Sequence, residues 1–93
     1  MFTKITPQSA QNSAGYTVFV ADRELAGYED DSIRANIAAD FLCGIVPLYR
    51  LTIQITTKAG QAASYSQPFE EKIIERIKEG LLFLGTHTET VDE

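Results

Sequence analysis

Leu48–Lys58, LYRLTIQITTK, is the stretch on which the fold turns. Tyr49, Leu51, Ile53, Ile55 and Thr57 alternate with Arg50, Thr52, Gln54, Thr56 and Lys58. A period of two over that length, rich in β-branched side chains, predicts a strand with one buried and one wet face. Ala59-Gly60 supplies a turn in which Gly takes the φ > 0 position, and Gln61–Ser66 is expected to return, with Ala63 and Tyr65 on the apolar face. Tyr49 and Tyr65 would then meet across this hairpin, on whose buried face helices pack.

Upstream, Phe2–Thr6 predicts a short strand stopped by Pro7, and the small polar run Gln8–Gly15 predicts a loop. Tyr16–Ala21 (YTVFVA) is apolar on both faces, which predicts a central strand covered on each side or by a partner. Asp22-Arg23 is a tight connection, and Glu24–Tyr28 returns as a short strand interrupted by Gly27. Asp30, Asp31 and Ser32 are good N-caps, since their side-chain oxygens accept the unpaired amide protons of a first helical turn. Ile33, Ile37, Ala38 and Phe41 follow at helical spacing, so a first helix is expected over Ser32–Cys43, capped by Gly44 and closed by Pro47.

Downstream, Pro68 suits a first helical turn, and Phe69, Ile73, Ile77 and Leu81 recur every four residues. The end is ambiguous: Gly80 could cap this helix and leave Leu81–Thr90 as a strand, or the helix reaches Leu84 and Gly85 caps it. The continuing stripe of Leu81 and Leu84 favours the longer helix, with Thr86–Glu93 a frayed acidic tail. The expected architecture is a single α+β domain over residues 1–93. A small antiparallel sheet carries two α-helices packed on it, in the order β-β-β-α-β-β-α.

Composition narrows the functional classes. An apolar fraction of 44% belongs to a folded globular chain. A lone Cys43 excludes an internal disulfide and a Cys-based zinc site, and fits a reducing cytoplasm. MFTKITPQ has no apolar run of signal-peptide length, and no segment approaches the ~18 residues of a membrane span. The net charge of −5 is spread over both halves, −3 in residues 1–46 and −2 in residues 47–93. Such a field repels a phosphate backbone, so direct duplex binding is not expected.

No motif announces catalysis. One His and one Cys cannot supply a typical zinc site; His87 falls in the polar tail and Cys43 reads as a buried small hydrophobe. There is no G-x-S-x-G elbow, no P-loop and no G-x-G-x-x-G. The carboxylates of Asp22, Glu24, Glu29, Asp30 and Asp31 lack the alternate-residue pattern of a calcium loop. They offer an acidic surface to a basic partner, with Tyr28 as its apolar anchor. No cofactor, metal or enzymatic activity is expected.

Gly15-Tyr16-Thr17-Val18-Phe19-Val20, the Asp22-Arg23 turn, and Asp30-Asp31 leading into Ala35, Ala38 and Ala39 together resemble the small phage-encoded anti-CRISPR proteins that disable type I surveillance complexes. Those inhibitors share neither motif nor fold, so the resemblance transfers no functional residue. It implies a stoichiometric inhibitor in the host cytoplasm that occupies a positively charged nucleic-acid channel and blocks target DNA. The competing expectation is a self-associating structural or accessory domain, a homo-oligomer paired through an exposed strand edge such as Phe2–Thr6.

Overall fold

The computed structural model describes residues 1–62 and 64–92. Its strands are β1 (Phe2–Thr6), β2 (Ser9–Asn12), β3 (Tyr16–Asp22), β4 (Leu25–Glu29), β5 (Ile33–Ala39), β6 (Val46–Thr57) and β7 (Thr88–Val91). Among the described residues a single helix, α1 (Gln67–Phe83), lies between β6 and β7. The seven strands form one curled, half-barrel sheet in chain order. β1 to β6 are an antiparallel meander, whereas β7 is parallel to β6 because α1 carries the chain back to the starting end.

The expectation of two helices on a small antiparallel sheet is therefore corrected to one helix on a larger mixed sheet. The first helix expected over Ser32–Cys43 is strand β5, followed by a connection from Asp40 to Ile45. Ile33, Ala35, Ile37 and Ala39 are buried in alternation, with Arg34 exposed and Asn36 and Ala38 half-buried. Ile33 and Ile37 are four apart, a spacing that fits either period. Ladders to β4 and β6 on both sides satisfy the β5 backbone and override the helical propensity of its alanines.

A row of directly opposed residues crosses the sheet: Ala10, Val18, Tyr28, Ala35 and Ile55, all buried. Onto this face α1 sets Ile73, Ile74, Ile77 and Leu81. Gly80 is where helix and sheet approach most closely, since a Cβ there would lie 2.5 Å from Val18 Cβ. This glycine is a packing contact inside the helix and does not end it. Gly85, at φ 91°, is the cap. Gly85 N donates to Leu82 O and Thr86 N to Leu81 O, the paired bonds of a Schellman ending, so the longer helix is the one formed. At the other end Ser66 Oγ accepts from Phe69 N and Pro68 sits in the first turn.

Thr86–Glu93 does not fray as expected: Thr88–Val91 pair with Val46–Tyr49. Glu93 lies outside the described residues. Gln8–Gly15 is not all loop either, because Ser9–Asn12 pair on both sides as β2.

β6 departs from its expected alternation. Asn36 pairs with Gln54 and Ala38 with Tyr49, so Arg50–Ile53 stand opposite Ile37 alone. Val46, Leu48 and Ile55 are buried, while Leu51 is 74% exposed. The bulge reverses the phase of the strand, which puts Tyr49 opposite Ala38 on the open face. Thr52 stabilises it: its hydroxyl accepts from Ala38 N (2.9 Å) and donates to Tyr49 O (2.6 Å). The return strand reduces to one bridge, Thr56 to Ala62, and Ala63 lies outside the described residues. Tyr65 stacks on Phe69 at 4.8 Å instead of meeting Tyr49.

Candidate functional site

The acidic residues anticipated as one patch occupy two turns at opposite ends of β4. Asp22 and Glu24 lie at the β3–β4 turn, and Glu29, Asp30 and Asp31 at the β4–β5 turn. At the usual strand rise the two turns are roughly 15–20 Å apart. A single contiguous patch does not form.

Tyr28 is fully buried, at 0% exposure, so it is a core residue and not an exposed apolar anchor. Its ring packs 5.4 Å from that of Tyr16, which meets Phe2 edge-on at 5.8 Å. Only the hydroxyl reaches polar groups. It donates to Asp30 Oδ2 at 2.7 Å and accepts from Arg76 Nη1 at 2.8 Å. Arg76 also lies over the Tyr16 ring, 4.6 Å from its centroid. Burial and the Asp30 hydrogen bond push the Tyr28 phenol up to about 12. Burial, with Glu79 nearby, also raises that of Tyr16.

Asp30 does the work of an N-cap without a helix. Its Oδ1 accepts from Ser32 N (2.7 Å) and Ile33 N (2.9 Å), while its own N–H donates to Ile33 O. Burial alone would raise the Asp30 carboxyl, but the bonds from Tyr28, Ser32 and Ile33 and the Arg76 charge outweigh it and hold the group below its ordinary value. Glu29 pairs with Lys58 (2.7 Å) and Arg34 (3.2 Å), and the Lys58 hydrogen bond chiefly lowers its carboxyl. Asp31 is exposed at the apex. A shallow depression of about 140 Å³ runs from these carboxylates to Gln11, Gly15 and Thr17.

The turn at the other end is simpler. Asp22 Oδ1 accepts from Glu24 N (2.7 Å), and the carbonyls of Arg23 and Glu24 accept from Phe41 N and Ala39 N. A cavity of about 300 Å³ opens there between Arg23, Phe41, Leu84 and Pro7.

Cys43 is exposed rather than buried, because the helix that would have covered it is not formed. Its thiol donates to Asp40 Oδ2 at 3.4 Å, and that bond raises its pKa. His87 is exposed, as its polar surroundings suggested. Among the described residues no group of His, Cys, Asp and Glu is arranged to hold a metal ion, and no helix is long and apolar enough to cross a membrane.

The residue that sequence reasoning missed is Arg76, one of the charged residues of α1. Its signal was position: it flanks the Ile73–Ile77 stripe, where a long side chain can lie along the sheet and keep its charge near polar groups. No family model, curated protein or solved structure matches this chain.

Proposed function

We propose that the chain is a non-enzymatic interaction module of the inhibitor type, which engages a basic surface on a nucleic-acid-handling protein and excludes nucleic acid from it. The observation that carries this reading is the β4–β5 turn. It is acidic, and the Tyr28–Asp30–Arg76 network and two backbone amides fix it in place. Asp31 stands exposed at its apex. A turn held rigid before binding loses little freedom on docking, which favours tight association. The overall charge of −5 steers the protein towards cationic surfaces and away from nucleic acid itself. A bacterial type I CRISPR surveillance complex, the target implied by the sequence resemblance, is the first partner to try.

The test is a tagged pull-down from bacterial lysate, washed at low and then high salt, with mass spectrometry of what stays and a DNA-displacement assay on it. Asp31→Lys should weaken capture about tenfold or more and restore DNA binding, while Glu24→Lys at the distant turn leaves both unchanged. Equal capture by wild type and Asp31→Lys would remove the turn from the interface.

A second reading has its own support. β1 is an outermost strand, Thr3–Thr6 are exposed, and its free side pairs with no strand among the described residues. An uncovered edge of this kind supports the reading of a homo-oligomer joined edge to edge. A mass in solution that rises with concentration would favour it.

A further inference from the structure

The outer edge of β6 is only half covered. β7 pairs with Val46–Tyr49 and ends at Val91, and the next partner among the described residues is Ala62, opposite Thr56. On the side away from β5, Arg50–Gln54 therefore run beside no strand among the described residues. Two depressions, of about 340 and 350 Å³, follow this stretch and share Ile53 and Glu70 in their walls. They make one groove with the strand edge on one side and Gln67 and Glu70 of the first turns of α1 on the other. Leu51 and Ile53 give it an apolar side, and Leu51 is among the most exposed large apolar side chains of the molecule.

The charge of the groove is lopsided. Arg50 is engaged by Glu71 and Asp92, whereas Glu70 has no ion-pair partner among the described residues. Arg50 is thus neutralised by carboxylates outside the lining, which leaves Glu70 as the lining charge with no ion-pair partner among the described residues.

We infer that this groove binds an extended peptide segment of a partner protein, added as a strand to β6 and lying against α1. The peptide places an apolar side chain on Leu51 and Ile53 and a basic one at Glu70. Uncovered strand edges present backbone donors and acceptors that another chain can satisfy, and side-chain pockets beside them set specificity. β7 already uses this mode on the other half of the same edge. The net negative charge selects a basic segment and counts against a second copy of this acidic chain. The groove shares no residue with the acidic β4–β5 turn, so the inference does not depend on the role given to Asp31.

The probe is the capped peptide Lys-Val-Lys-Val-Lys-Val-Lys, titrated into ¹⁵N-labelled protein and followed by amide shifts. Shifts should concentrate at Arg50–Gln54 and Gln67–Glu71. Methylating alternate peptide nitrogens should abolish binding, because strand addition needs those donors. Glu70→Gln, which keeps the side-chain length, should weaken it about tenfold, and Asp31→Lys should leave it unchanged. No shifts at millimolar peptide would overturn the proposal. So would shifts centred on Asp30–Ser32, or equal binding of the methylated peptide. Concentration-dependent shifts at the same amides without peptide would assign the edge to a second copy and overturn it as well.

Discussion

The two turns that bracket β4 begin alike and end differently. In each an aspartate accepts a hydrogen bond from the amide two residues on, Asp22 from Glu24 and Asp30 from Ser32, both at 2.7 Å. Among the described residues the Asp22 side chain makes that one bond. Asp30 adds Ile33 N and the Tyr28 hydroxyl, and through the phenol it reaches Arg76 on the helix, 46 residues further along the chain. The same side chain in the same local motif thus serves as turn chemistry at one end and as a tie between turn, sheet and helix at the other. What differs is a second amide on the first carboxylate oxygen and a phenol on the second.

The largest effect expected from this difference is at Asp30. Replacing it with Ala removes three acceptor contacts and leaves the guanidinium of Arg76 beside a buried ring without its counter-charge. A loss of about 2–3 kcal/mol follows from the cost of unsatisfied and charge-assisted bonds. Urea unfolding would measure it. A loss no larger than that of Asp22→Ala would mean that the network through Tyr28 is incidental and that only the local turn counts.

The same pair shows what sequence could and could not reveal. Asp30 is recognisable in the sequence as a residue that satisfies nearby backbone amides, and it does so, but at the start of a strand instead of a helix. Local chemistry was legible; the element that used it was decided by ladders to β4 and β6, tens of residues apart in part. β1, β3 and α1 could be read because each carries its own signal: Pro7, the YTVFVA alternation, Pro68 and Gly85. β4 forms too, but the interruption expected at Gly27 does not occur, since Gly27 pairs in register with Phe19 and Asn36. β2 and β7 could not be read. Ser9–Asn12 has one fully buried side chain, Ala10, and Thr88–Val91 has none, so their pairing depends on neighbours already in place. Gly27 is accommodated in β4 by the Phe19 ring lying over it, where a Cβ would come within 2.3 Å. For the candidate site the acidic residues were legible one by one. Their division between two turns, the burial of Tyr28 and the part played by Arg76 needed the topology.

The comparison sharpens with pH. The Asp30 and Glu29 carboxyls lie below their ordinary values of 3.8 and 4.5 in the folded protein. A depressed acid contributes stability that is complete above its unfolded pKa and is lost as pH falls through the folded one. The midpoint gap between wild type and Asp30→Asn should therefore be full near neutrality and close as the pH drops below about 4. At the alkaline side Tyr28 acts in the opposite sense. Its pKa is raised from 10.0 to about 12, so the stability it confers is complete below 10.0 and lost as pH climbs towards about 12. Thermal melts across both windows test this, and a gap independent of pH on the acid side would show that Asp30 acts only through geometry.

The smallest effect belongs to Asp22. Its turn is tied to β5 by the carbonyls of Arg23 and Glu24, which accept from Phe41 N and Ala39 N and would survive a change of side chain. Asp22→Ala removes one exposed hydrogen bond and should cost about 0.5–1 kcal/mol. Urea unfolding of this variant, run beside Asp30→Ala, measures what the Ile33 amide and the Tyr28 phenol add together. If the two losses converge, the distinction between a turn held by its backbone and one held through the core fails. The rigidity argued for the Asp31 apex would then fail with it.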